Sequence, residues 1–272
     1  MTNPTETTAQ NTDAIQQQYQ TDGFYIPDGP ILPDDIVAAA TTGMDAVREG
    51  RYDTGQPPQT SRWNPGDDPD ELCKIELPQQ ADLGIRALVS HPDLGRWAAR
   101  VTGAKMVQVW WTQLLYKPPQ RPGVEAELNI GWHQDRHYWQ AWAEGCELFT
   151  AWVALSDVAA DTGPMRFVRG SNQWGLLDDG GFFRQDLDDQ RADIPVPDGQ
   201  NWEEQPALLP PGGASFHHCL TFHGSSANTS AGPRRSLAIH MRTEKSAPVD
   251  DARAGLTAFI DDPERNPVIY QE

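Results

Sequence analysis

Apolar positions change period along this chain, and the change divides it into two parts. Between residues 34 and 49 they fall at Ile36, Val37, Ala40, Met44 and Val47, the three- and four-residue steps of a helix with one buried face. Asp34 and Asp35 sit where a helix start favours acid. A second helical stretch covers about 81–102. His91-Pro92 divides it in two, because a residue before proline is pushed out of the helical region. Upstream, a short helix fits residues 14–22 and ends at the turn Asp22-Gly23, with Phe24-Tyr25-Ile26 extended beyond it. From Lys105 onward the texture is that of strands. Met106–Lys117 (MVQVWWTQLLYK) is rich in strand formers and stops at Pro118-Pro119. Phe149–Leu155, Met165–Val168, Ala214–Leu220 and Ser236–Arg242 are further strands between Gly, Pro or polar clusters. Helices first, then many short strands without intervening helices, predict an α+β fold with a β-sandwich or jelly-roll core.

The remaining segments have less pattern. Residues 1–18 are polar and read as a disordered lead, which leaves 19–272 as a single domain with neither a repeat nor a Ser/Gly linker. Residues 172–205 are acidic, punctuated by Gly and Pro, and lack sustained periodicity. A stretch of that length predicts either a lid over a site or a mobile excursion. The net charge of −18 speaks against a nucleic-acid groove or an anionic membrane surface as partner and leaves a small molecule as the expected one. No run approaches the ~18 to 20 apolar residues of a membrane span. The N-terminus lacks the basic start and apolar run of a secretory signal. Cys73, Cys146 and Cys219 are odd in number and far apart, which fits a reducing cytoplasm better than a disulfide framework. Oligomeric state is left open.

Candidate chemistry concentrates in two places. In Gly131-Trp132-His133-Gln134-Asp135, a His and an Asp two positions apart on a strand face the same way and could meet on one metal ion. Alone, such a pair is common. Far downstream, Phe222-His223-Gly224-Ser225 lies at the end of a strand candidate, and Arg234 follows His223 by eleven positions. Two His and one carboxylate make the facial triad that leaves positions open on non-haem iron(II). A cosubstrate such as 2-oxoglutarate would fill two of them, leaving one for O2. Its far carboxylate needs a fixed cation, for which an arginine fork is well shaped, and a hydroxyl such as Ser225 can add a hydrogen bond. Other histidines have plainer readings. His217 and His218 are neighbours on a strand, so at most one faces the interior, and both read as buried, hydrogen-bonded structural groups, as do His137 and His240. The clustered Trp110, Trp111, Trp132, Trp139 and Trp142 fit either core packing or an aromatic substrate mouth.

Together these motifs resemble the phytanoyl-CoA dioxygenase family, including its bacterial hydroxylases of small metabolites. The resemblance runs from Tyr19–Phe24 (YQTDGF) through Gly131–Tyr138 (GWHQDRHY) to His223–Arg234 (HGSSANTSAGPR). Between them, Thr162–Asn172 (TGPMRFVRGSN) matches a family segment that more often ends in His, where this chain has Asn172. The resemblance implies a double-stranded β-helix core (jelly-roll, cupin-like) with flanking helices. It also implies Fe(II) held by His133, Asp135 and His223, with 2-oxoglutarate and O2 as cosubstrates. Family spacing, rather than strand geometry, selects Arg234 over Arg235 for the far carboxylate. It further assigns Gln113, Lys74 and Trp152 to the 2-oxoglutarate pocket. The expected reaction is hydroxylation of an unactivated C–H bond, with release of succinate and CO2. Desaturation, epoxidation or cyclisation by the same chemistry is the alternative, and a halogenase is disfavoured because Asp135 fills the position that halogenases leave to Ala or Gly. Readings from other classes are a cupin-like hydrolase or isomerase and a catalytically silent metal-binding protein.

Overall fold

The central strands of the larger sheet have one row of side chains for the helices and another for the space between the two sheets. The computed structural model describes residues 4–121, 128–177 and 180–272. The elements, in order, are α1 (Pro4–Asp22), β1 (Phe24–Tyr25), α2 (Asp34–Arg48), β2 (Cys73–Glu76), α3 (Leu83–Val89), α4 (Pro92–Thr102), β3 (Met106–Lys117), β4 (Ile130–His133), β5 (Leu148–Ala154), β6 (Arg166–Val168), α5 (Leu187–Asp193), β7 (Glu204–Pro206), β8 (Ala214–His218), β9 (His223–Ser225), β10 (Arg234–Thr243) and β11 (Val268–Gln271). Seven strands form one sheet in the order β1-β8-β5-β10-β3-β11, with β2 also paired to β3; the second sheet runs β4-β9-β6-β7. All named pairings are antiparallel.

On the large sheet, period-two alternation separates the two faces. Phe149, Ala151 and Val153 of β5 and Leu237, Ile239 and Met241 of β10 pack with Val37, Ala40, Met44 and Val47 of α2. Trp152, Ala154 and Ala238 point the other way and meet Phe167 of the small sheet. The helices are held close by small residues. Gly43 lies where a Cβ would come within 2.0 Å of Asp82 Oδ1, and Asp82 in turn caps α3 by accepting from the Ile85 amide at 2.8 Å. The break at His91-Pro92 is observed, with His91 as the N-cap of α4 and Pro92 at its first position.

Three expectations change. A helix occupies 4–22, where sequence reading places a disordered lead up to 18. Buried Ile15 and Tyr19 anchor the C-terminal half of α1 to the core that includes α4 residues, and a nucleated helix extends cheaply into a polar sequence. Of the segment 172–205, residues 178–179 lie outside the described residues, and the rest is more ordered than its composition suggests. The segment contains α5, begins with a 3-10 turn at Ser171–Gln173 and ends in β7. Finally, His223 does not end the strand Ala214–Leu220. That strand stops at His218, and His223 opens β9 in the opposite sheet.

Candidate metal and cosubstrate site

The two candidate histidine donors come from strand ends. His133 is the last residue of β4 and His223 the first of β9, and the two are register partners. Their rings lie side by side with centroids 4.1 Å apart. Asp135 is off the strand, at the start of a 3-10 turn (Asp135–His137), so strand alternation is not what brings it to His133. The turn returns its carboxylate to the same point, with Oδ1 3.7 Å from Nε2 of both histidines. The ligand atoms of these three buried residues all lie within 4.8 Å of one another.

Each donor is oriented by a second layer of groups. Nδ1 of His133 lies 2.8 Å from the Gly131 carbonyl, and Nδ1 of His223 lies 2.9 Å from the Thr221 carbonyl. An N–H donated to each carbonyl leaves both Nε2 lone pairs facing inward. Asp135 Oδ2 accepts from Thr150 Oγ1 at 2.9 Å and faces His217 Nε2 at 3.3 Å. Thr150 Oγ1 in turn accepts from His240 Nδ1 at 2.8 Å. Oδ2 is thereby occupied, and Oδ1 is left for an ion. Burial lowers the pKa of His133 and His223, which favours the neutral, ligating imidazole. Burial works against the Asp135 anion, but the surrounding imidazoles of His223, His217 and His240 outweigh it whenever one of them carries a proton, and they hold the carboxyl well below its usual range. Two neutral imidazoles and one carboxylate oxygen fit a divalent ion of intermediate softness such as Fe(II), with part of its coordination sphere left to small molecules.

A cavity opens beside this triad, lined among others by Leu115, Trp152, Met165, Ser225, Arg234 and Ala238. Strand alternation sends the two neighbouring arginines to opposite faces of β10. Arg234 is 2% exposed, lies over the Trp152 ring at 5.2 Å and donates to the Gly163 carbonyl, and its Nε has no partner. Arg235 points to the helix side, where it pairs with Asp45 at 3.2 Å. Burial pushes Arg234 down to about 9, so it stays charged at neutral pH. Lys74 and Gln113 lie on the other side of the donors, in a chamber that shares His133, Asp135 and His240 with the first. Both point at Glu76, Lys74 at 3.4 Å and Gln113 at 3.5 Å. Tyr138, Trp139, Phe182 and Phe183 wall this chamber, so part of the aromatic cluster faces a cavity while Trp110, Trp132 and Trp142 are wholly core.

Sequence reading missed several of these groups. Lys117, which the local pattern makes only the end of a strand, is fully buried beside Ser225. Its inward parity with Gln113 and Leu115 was the available signal. His217 is no ordinary hydrogen-bonded core histidine, since it stands against Asp135. His137 is half-buried rather than buried. Phe182, from the 172–205 segment, lies edge-on to His133 with centroids 5.1 Å apart, a contact no local pattern announces.

The chain matches a known family, and its fold matches solved structures. The phytanoyl-CoA dioxygenase (PhyH) family model matches residues 19–236. The epimerase SnoN from nogalamycin biosynthesis, solved with Fe3+, alpha ketoglutarate and nogalamycin RO, is similar in structure at TM-score 0.66 and 21% identity, over 93% of this chain and 90% of that one. The carbocyclase SnoK from the same biosynthesis matches at TM-score 0.62 and 25% identity, over 87% and 85%. AviO1 from Streptomyces viridochromogenes Tue57 matches at 0.61 and 22%, over 88% and 97%. No curated protein sequence matches significantly. Fold, donor set and family match agree: the chain belongs to the phytanoyl-CoA dioxygenase family of enzymes, which use Fe(II), 2-oxoglutarate and O2.

Proposed function

We propose that this enzyme hydroxylates an unactivated C–H bond of a small or medium-sized metabolite, such as an amino-acid derivative or natural-product intermediate, on a double-stranded β-helix core. Consecutive strands from β3 to β6, and again from β7 to β10, alternate between the two sheets, which is the winding that such a core requires. The observation that carries the reading is the buried triad of donors opening onto a cavity whose far wall holds an incompletely bonded guanidinium. His133, Asp135 and His223 would hold Fe(II). Bound there, the ion supplies O2 activation coupled to decarboxylation of 2-oxoglutarate to succinate and CO2.

The chain's own residues bind, orient and exclude. Arg234 takes the far carboxylate of 2-oxoglutarate through a charge-assisted bond, Ser225 adds a hydroxyl, and the Trp152 face fixes the plane of approach. Lys74 and Gln113 are turned to Glu76 and would have to release it to meet the cosubstrate's other end. Thr150, His217 and His240 keep Asp135 from turning. Phe182 covers His133 and keeps water from the reacting C–H bond. The cation needed for 2-oxoglutarate favours this reading over a hydrolase. SnoN and SnoK, named as an epimerase and a carbocyclase, make desaturation or ring formation the second reading, because the same C–H oxidation leads to each when the substrate radical takes another exit. Incubation with Fe(II), 2-oxoglutarate and O2 should form succinate slowly without substrate. Addition of a true substrate should raise succinate and add one oxygen atom to the product. No succinate under any condition would remove the oxygenase reading, and a substrate product without added oxygen would replace hydroxylation by the second.

A further inference from the structure

We propose that Lys117 is a second cosubstrate-positioning residue, which turns the Ser225 hydroxyl proton into the cavity and offsets the charge of a dicarboxylic 2-oxo acid. This inference rests on the reading above, that the cavity takes 2-oxoglutarate.

Lys117 ends β3 directly opposite Arg234 of β10 in the sheet register, and both side chains are buried. Burying one ammonium and one guanidinium side by side is costly unless anions accompany them. Among the described residues, the buried carboxylates are Asp22, Asp82 and Asp135. Asp22 bonds Arg169, Asp82 caps α3, and Asp135 belongs to the metal site, so none pairs with either cation. Arg166, the other cation nearby, is already matched by Glu204 at 2.8 Å. Arg234 in the cavity wall and Lys117 behind it therefore have no protein carboxylate beside them, and burial next to Arg234 and Arg166 pushes the Lys117 ammonium well below its usual range, so a dianionic ligand in the cavity is what would keep both groups charged.

The hydrogen bonds give the second half of the argument. Lys117 Nζ donates to Ser225 Oγ at 2.6 Å and to the Ser226 carbonyl at 2.7 Å, with the Ser225 carbonyl at 3.5 Å. Once a dianion holds Lys117 as an ammonium, which only donates, Ser225 Oγ is the acceptor in this contact and its own proton must point elsewhere. No described protein group takes that proton, while the hydroxyl lies in the cavity wall beside Arg234. A carboxylate arriving between Arg234 and Ser225 would accept it. Lys117 thus acts through Ser225 and need not touch the ligand.

The test compares the full-length iron-loaded enzyme with Lys117→Met, Ser225→Ala and the double variant. Initial rates of succinate formation are measured with 2-oxoglutarate, and consumption is measured with 2-oxovalerate, a 2-oxo acid of similar length lacking the far carboxylate. Lys117→Met should raise KM for 2-oxoglutarate about 10- to 100-fold, the range of one hydrogen bond to a charged group. It should leave kcat within a few-fold and narrow the preference for 2-oxoglutarate over 2-oxovalerate. Because both residues serve one contact, the double variant should fall well short of the product of the two single effects, the remainder being the charge that Lys117 supplies by itself. A generally loosened Lys117→Met protein would penalise both 2-oxo acids alike. That outcome, or an unchanged KM, would overturn the proposal, as would additive single effects. If Lys117→Met does not fold, Ser225→Ala must still narrow the preference, and an unchanged preference refutes the idea. Failure of the wild type to use 2-oxoglutarate at all would instead refute the functional reading.

Discussion

Substituting the two neighbouring arginines of β10 separates cosubstrate binding from surface pairing. Arg234 is almost fully enclosed, and its Nε lacks a partner, so a carboxylate in the cavity would meet it in a largely dry setting. Truncating one member of such a hydrogen-bonded charge pair costs ~2 to 5 kcal/mol, or roughly 30- to several-thousand-fold in affinity. Arg234→Leu should therefore raise KM for 2-oxoglutarate by that factor, while Fe(II) binding survives because His133, Asp135 and His223 are untouched. The lost bond to the Gly163 carbonyl lowers stability, which a melting curve records separately. Arg235→Leu loses only a partly exposed pair with Asp45 and its packing on Tyr116, so its cost should be about 1 kcal/mol or less of stability. Its KM should stay within a few-fold of wild type. Initial rates against 2-oxoglutarate concentration, with iron content measured on the same samples, decide the matter. A large KM effect in Arg235→Leu, or none in Arg234→Leu, would refute the assignment of the inward face.

The other expectations are simpler. Asp135→Ala should lower Fe(II) affinity at least about 100-fold and abolish succinate formation, whereas Thr150→Val, which frees one carboxylate oxygen to turn, should cost ~10- to 100-fold; iron titration measures both. Gln190→Leu should raise hydrogen exchange across residues 180–194 and β4, because the buried Gln190 amide bonds both the Trp132 amide at 2.7 Å and its carbonyl at 2.5 Å; unchanged exchange would mean that the segment is held by other contacts. Stability should fall as pH drops from about 6.5 through 4. Burial depresses His218 and His240 to about 4, so the unfolded chain binds more protons across that window, at a cost on the order of 3 kcal/mol per histidine; denaturant midpoints at pH 7 and 4.5 test the sign.

What the sequence disclosed and what it hid follow one physical division. Local patterns, namely the α2 stripe at Val37, Ala40, Met44 and Val47, the break at His91-Pro92 and the long β3, are set within a few residues and stand in the structure close to where the pattern puts them. The same alternation that sends Arg235 to Asp45 and Arg234 to Trp152 also sends His217 inward. That direction was legible as a choice of one from each pair, and the sheet facing decided which. Asp135 was found for an incomplete reason, since a turn rather than a strand delivers its carboxylate. Short strands such as β2, β7 and β11 have too few residues for a period to show, and they exist because an edge of a longer strand or of the second sheet was available to pair with them. The acidic stretch from 172 to 205 looked unstructured because its order is supplied from outside. Gly131 admits the Gly181 carbonyl where any Cβ would stand 2.1 Å from it, and the Gln190 amide then joins α5 to β4. A glycine chosen for the approach of a backbone fifty residues away leaves no signal in its own neighbourhood. Lys117 was hidden for the same reason: its meaning lies in Arg234 across the sheet and in Ser225 on the facing one, and in β3 alone it is one more polar residue at the end of a strand.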